Sequence, residues 1–253
     1  MTPDQIPFYL DWKFWSFFVS ATALVVSLTP TIWKYIRPAR LDVEIYSQVC
    51  LTHGVGNPNF QMHLIVTNIG GRTARVKGIR IGFARSKEDQ FELPAQNYLQ
   101  NPADKLNVLL TSFRLKSGEE WAHIVNFFNL FSREEERECR DLKSKLRSNI
   151  YEKRNHLSDE EKKKDVAADE DVVASVVKFF DRKFRWLPGE YELTLYIDVE
   201  PQRASVRKKY RITLFESDSK ELADIKDEFK YGYGVLRIGK EMPQILVPVF
   251  EGN

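Results

Sequence analysis

The chain has 253 residues, 43% of them hydrophobic and 29% charged, with a formal net charge of +2. That length accommodates one or two domains with a buried core, and a balance so close to neutral gives no electrostatic claim on nucleic acid. Cys50 and Cys139 stand far apart in unlike contexts and indicate neither a disulfide framework nor a multi-cysteine zinc site.

The first element in chain order is FWSFFVSATALVVSLTPTIWKY, Phe14 to Tyr35, in which nothing between Phe14 and Trp33 is charged. Roughly 20 such residues rise about 30 Å as a helix, the depth of a bilayer's hydrocarbon core, so the expected element is a transmembrane helix over 14–36 after a short N-terminal segment, 1–13. Its flanks carry residue types that favour the headgroup level: Trp12, Lys13 and Trp15 before, and Trp33, Lys34, Tyr35, Arg37 and Arg40 after. A cleaved signal peptide fits less well, because the first ten residues contain no Lys or Arg and the run ends in bulky aromatics. The excess of Lys and Arg after the run orients the large C-terminal part toward the cytoplasm, giving an expected single-pass cell-membrane protein. Ser16, Ser20, Ala23, Ser27 and Thr31 recur at helical spacing, a stripe that allows close approach of a second helix through self-association or a partner span, the plain reading being chance alignment of common small residues.

Beyond Pro38 the apolar period changes to two, the signature of half-buried strands. LDVEIYSQVCL alternates through Leu41, Val43, Ile45, Val49 and Leu51, and FQMHLIVTN through Met62, Leu64 and Val66 before Gly70-Gly71. In ARVKGIRIGF, Val76 lies in one register and Ile79, Ile81 and Phe83 in the other, which places a bulge at Gly78. Glu119 to Phe131 reads as a further strand. YELTLYIDV and VRKKYRITL form a predicted hairpin in which acidic Glu190, Glu192 and Asp198 meet basic Arg207, Lys209 and Arg211 by cross-strand pairing rather than forming a binding patch.

The string QMHLIVTNIGGRTARVKGIRI resembles the paired strands of immunoglobulin-like domains, in which an apolar strand ends at Asn-x-Gly and the next begins at a small residue. LPGEYELTLYIDV is similar to the penultimate strand of such sandwiches, where a Pro-Gly turn leads into Tyr191. The resemblance implies an immunoglobulin-like antiparallel β-sandwich, its first part over 37–131 and its second over 185–253. It covers two stretches, lacks the Cys…Trp…Cys core, and transfers no binding site.

Between these parts, 132–184 is a charged helical insertion. Ser132 with Glu135, and Ser158 with Glu161, are capping-box pairs expected to start helices. Cys139, Leu142, Leu146 and Ile150 form a narrow apolar seam, and Val172, Val173, Val176, Val177, Phe180 and Phe184 a broader one that docks on the sandwich. A third short helix, capped by Asp218 with Glu221, ends at YGYG, and QILVPVF supplies an edge strand.

No phosphate-binding loop, zincin or nucleophile-elbow motif occurs. His63 and His123 interrupt strands, and His53 lies in the hairpin-like THGVGNPN three residues after Cys50, with no second pair of metal ligands at a recognisable spacing. No catalytic residue, cofactor or metal is therefore expected, and no ligand class is indicated. The expected function is a membrane-anchored, non-enzymatic protein-interaction, sensor or adaptor subunit, whose partners are the lipid bilayer and either a protein or a second copy through the span. The alternatives are a membrane-disrupting effector of a bacterial conflict or phage-defence system, and a membrane-tethered enzyme with an unmarked site.

Overall fold

The structure, a computed structural model, describes residues 12–87, 89–101, 106–158, 160–161, 164–236 and 242–252, with the side chains of 13 and 30–35 outside that set. A helix, α1 (Trp12–Ile36), leads into the strands β1 (Leu41–Ile45), β2 (Gln48–Gly54), β3 (Asn57–Asn68), β4 (Ala74–Ala84), β5 (Gln90–Leu99), β6 (Val108–Leu109), β7 (Phe113–Leu115) and β8 (Glu120–Phe128). Two helices come next, α2 (Arg133–Asn155) and α3 (Glu170–Lys183), then β9 (Gly189–Glu200), β10 (Val206–Leu214), α4 (Glu216–Ala223), a 3-10 stretch Asp224–Tyr231, β11 (Ile245–Pro248) and β12 (Phe250–Glu251).

The expected transmembrane span is not supported: among the described residues no helix is long and apolar enough to cross a membrane. The helix at this position is 25 residues long and carries six Ser and Thr residues from Ser16 to Thr31. The single-pass, cell-membrane and orientation expectations fall with the span.

The immunoglobulin-like sandwich is corrected as well. Every strand pair is antiparallel, and the path runs β11-β2-β3-β8-β5-β4-β9-β10-β12, with β1 on β3, β6 on β5 and β7 on β4. Two strands change sheets and stitch the edges together. β5 pairs with β4 through Pro94 and with β8 from Ala95 onward, so Pro94, which has no N–H to donate, sits where one ladder ends and the other begins. At the opposite edge β11 pairs with β2, and after Val249 the same segment continues as β12 on β10. The two ends of the path are thus one continuous stretch of chain, and the sheet is a nearly closed barrel rather than two open faces.

The alternating residues fill its interior: Phe60, Leu64, Val66, Ile81, Leu93, Val125, Phe127, Leu195 and Ile197 are fully buried or nearly so. Gly78 carries the bulge, the register of β4 against β9 shifting between Val76 and Gly78. Trp186 enters this core between α3 and β9, edge-on to Phe83 and Phe91 at 5.4 and 5.8 Å. Its indole N–H donates to the Thr52 carbonyl at 2.6 Å, and its own carbonyl accepts from Ser219 Oγ at 2.7 Å. The Tyr191 hydroxyl donates back to the Leu187 carbonyl at 2.7 Å, and burial pushes the phenol up to about 12.

A helical layer with its own core packs on one end. Cys139, Leu146, Ile150, Val176, Phe179, Phe180, Ile225 and Phe229 gather around Val55 at the β2–β3 turn. Gly56 in that turn has φ +84°, and a Cβ there would lie 2.5 Å from the Phe180 carbonyl oxygen, so the turn admits only glycine. Ser132 and Glu135 cap α2 reciprocally, at 3.2 and 2.9 Å. Ser158 and Glu161 form the same exchange, at 3.4 and 3.0 Å, yet α3 starts only at Glu170 behind Asp169. α4 starts before the expected cap: Asp218 Oδ2 accepts from the Phe215 N–H at 3.0 Å, placing Asp218 inside the first turn.

Candidate functional site

The N-terminal helix is joined to the barrel by a close crossing. Gly70 and Gly71 donate their N–H groups to the carbonyls of Arg40 and Pro38, both at 3.2 Å, and a Cβ on Gly70 would fall 2.3 Å from the Arg40 nitrogen. The Gly-Gly pair is therefore the seat of the linker between α1 and β1. Among the described residues, no α1 side chain belongs to either hydrophobic core. Its large side chains stand in the open instead: Phe17 is 74% exposed, Phe18 54%, Val25 63% and Val26 65%.

The polar atoms of this helix are turned inward. The hydroxyls of Ser20, Thr22, Ser27 and Thr29 donate to the carbonyls of Ser16, Phe18, Leu24 and Val25, at 2.6 to 3.0 Å. Such back-bonding leaves no unpaired hydroxyl among those four to oppose an apolar contact. Of the stripe residues, Ser16, Ser20, Ala23 and Ser27 are at least partly exposed, and the Thr31 side chain lies outside the described residues. Of the expected interface residues, Trp12, Trp15, Arg37 and Arg40 are exposed, while the side chains of Lys13, Trp33, Lys34 and Tyr35 lie outside the described residues.

On the barrel, a groove of about 610 Å³ opens at the rim where β7 joins β4, lined by Thr73, Arg75, Arg114, Lys116, Glu119 and Glu200. The β4–β7 register sets Arg75 directly opposite Arg114, and the β4–β9 register sets the same Arg75 opposite Glu200. Ala74 and Leu115 between them point into the core, so the charged residues all project outward. Glu200 is shared loosely between Arg75 at 3.7 Å and Lys77 at 3.3 Å, and Lys116 meets Glu119 at 3.8 Å. Glu119 is also held by its turn, where its Oε2 accepts from the Lys116 N–H at 2.7 Å. Sequence reasoning missed this groove because β7 is three residues long and lies about forty residues along the chain from β4. The signal available was the basic spacing in ARVK and RLK alone.

The expected acidic and basic rows of the hairpin meet in part. Arg211 faces Glu192 in register and Lys209 Nζ reaches the same carboxylate at 2.8 Å. Asp198 pairs instead with Arg80 of β4 at 2.8 Å, and Arg207 lies over the Tyr196 ring at 5.4 Å from its centroid. The basic row is thereby used in holding strands together.

His53 is 3% exposed and fully satisfied. Its Nε2 donates to the Leu222 carbonyl at 2.8 Å, its Nδ1 accepts from the Gly56 N–H at 3.4 Å, and its ring meets Phe180 and Phe184 edge-on. Burial pulls its pKa below the usual imidazole value, opposed by the bond to Leu222. His53 therefore joins the barrel to the helical layer as a neutral ring. His63 lies in a shallow apolar recess of about 300 Å³ with Tyr46, Cys50, Ile124 and Leu246. His123 packs against Tyr98 and Trp121 at 4.7 and 4.8 Å. Burial pushes the thiols of Cys50 and Cys139 up, away from the reactive thiolate. Among the described residues no three His, Cys, Asp or Glu side chains are grouped as a metal site.

Comparison with known proteins identifies no relative: no family model matches the chain, and no curated protein matches it. One solved structure that matches is that of Spo0M, a sporulation control protein from Bacillus subtilis, at 9% identity and a TM-score of 0.26. The match covers 76% of this chain and 55% of that one, so this chain spans about half the length of that structure. A superposition that poor carries no argument about fold or function.

Proposed function

We propose that this chain is a non-enzymatic protein-interaction subunit that assembles through α1, the barrel and its helical layer forming the rigid body that the helix joins to its neighbours. The observation that carries this reading is the exposure of α1's bulky apolar side chains, none of which contributes to either core. Apolar surface of that extent on an isolated chain marks a contact made with something else. A helix that is apolar all round is stable when covered all round. One neighbour covers only one face, so burying both Ser20 and Val25, which project to opposite sides, takes more than one.

The occupant we commit to is α1 of further copies. The helix carries no charge from Phe14 to Thr29, so its complement is itself uncharged, and an identical helix meets that requirement without a second gene product. The stripe of Ser16, Ser20, Ala23 and Ser27 allows the closest approach, because interaxial distance is set by side-chain size at the contact. The absence of a catalytic role is supported by the use of the buried titratable groups, since His53 and Tyr191 each have their hydrogen bonds taken up in holding elements together.

Light scattering on the purified full chain, over a concentration series, tests the reading. The expected mass exceeds that of a dimer at micromolar concentrations, and Ser20→Leu with Ala23→Leu lowers it. A monomeric mass throughout for the parent chain would overturn the proposal.

A further inference from the structure

We propose that the groove at the β4–β7 rim binds a phosphate group, as the free dianion or as a monoester, held between the guanidinium groups of Arg75 and Arg114 with Lys116 alongside. Phosphate binding here is independent of assembly through α1 and uses none of the same residues.

Strand register sets up the site. Like charges directly opposite one another on paired strands are destabilising, yet Arg75 and Arg114 are set face to face. An anion seated between them turns that repulsion into two attractions. The local charge balance points the same way. Arg75, Arg114 and Lys116 line the groove against two carboxylates, Glu119 and Glu200, and Lys77 neutralises Glu200 further from outside the lining, so the neighbourhood carries an excess of two positive charges. Arg114 has no ion pair among the described residues, and the carboxylates approach their partners only loosely, at 3.3 to 3.8 Å.

Charge and shape together select the anion. Glu200 already offers a carboxylate to Arg75 but is drawn away by Lys77, so a further monovalent carboxylate adds little. A phosphate carries close to two charges and three acceptor oxygens, and the planar fork of arginine binds it through paired N–H donors. Two forks on adjacent strands reach it from both sides. The continuing register places Thr73 beside Lys116, where its hydroxyl is a fourth donor. The cavity, at about 610 Å³, has room for more than the bare ion.

The test is isothermal titration of the full chain at constant ionic strength with inorganic phosphate, phenyl phosphate and acetate. Both phosphates are expected to bind at least tenfold more tightly than acetate. Phenyl phosphate binding more tightly than inorganic phosphate assigns the ligand as a monoester, and the reverse assigns it as the free ion. Arg114→Gln, an exposed substitution that breaks no ion pair among the described residues, is expected to weaken phosphate at least tenfold, while Arg114→Lys restores charge without the fork and recovers only part of the loss. Phosphate binding no better than acetate, or unchanged binding in Arg114→Gln with a native circular dichroism spectrum, would overturn the proposal. Loss of assembly with phosphate binding retained would leave it standing.

Discussion

Replacing Gly56 by alanine separates two costs that the structure assigns to the β2–β3 turn. The first is conformational: with φ at +84°, a side chain at this position occupies left-handed backbone, at about 1–2 kcal/mol. The second is steric, since the new Cβ would lie 2.5 Å from the Phe180 carbonyl oxygen and 3.1 Å from the Phe180 Cα. Both are main-chain atoms of α3 and cannot rotate away, so the helical layer must lift from the barrel, an overpacking cost of ~1–3 kcal/mol. The sum is ~2–5 kcal/mol. Gly118 supplies the control, because it has φ +80° with nothing within 4 Å of an added Cβ, so Gly118→Ala carries the conformational cost alone, ~1–2 kcal/mol. Urea unfolding followed by circular dichroism measures both variants, and Gly56→Ala is expected to lose at least ~1 kcal/mol more than Gly118→Ala. Equal losses would refute the docking of α3 on this turn.

His53 gives the fold a pH dependence with a defined sign. Its folded pKa is lowered, so its stability is present above the unfolded value of about 6.5 and is lost as the pH falls through that value toward the folded one. Unfolding free energy is expected to fall as the pH drops below about 6.5, with a slope of at most ~1.4 kcal/mol per pH unit from this group, and His53→Gln to remove that contribution; the same slope in the variant would contradict the assignment. Trp186→Phe leaves the part-buried Thr52 carbonyl without its donor and shrinks the barrel core, with an expected loss of ~2–4 kcal/mol in urea unfolding. A loss below ~1 kcal/mol would mean that another donor takes the carbonyl.

Much of the barrel was legible where one face of a strand is wet. The alternation in FQMHLIVTN and YELTLYIDV corresponds to the inward faces of β3 and β9, and the phase slip at Gly78 to the observed bulge. Alternation does not carry closure. β5 changes partners in mid-strand at Pro94, a residue that argues against a strand, and its burial pattern shows no clean period. β11 and β12 are four and two residues long. The segments that turn a sandwich into a near-barrel are thus those with the weakest local signal, and the immunoglobulin-like resemblance rested on strands that both architectures share.

The helical layer divides in the same way. The seam of Cys139, Leu146 and Ile150 matches its helical spacing, whereas the start of α3 has no such local sign. Ser158 and Glu161 form their hydrogen bonds without launching that helix, since a capping pair fixes one turn of backbone and does not commit the next residues to continue it. The rim groove was invisible for a simpler reason: Arg75 and Arg114 become neighbours only through the pairing of β4 with β7. The uncharged run at the N-terminus forms the helix α1, but the expected membrane span is not supported, because no described helix is long and apolar enough to cross a membrane.

The burial of α1 in an assembly of copies is tested most directly by thiol-labelling rates at Ser20→Cys and at Val25→Cys, made separately in the full chain and followed across protein concentration. Both sites are exposed on the single chain. Labelling at both positions is expected to slow as concentration rises, because neighbouring helices cover opposite sides of α1. Rates that stay at the value of a freely exposed thiol at every concentration would contradict it.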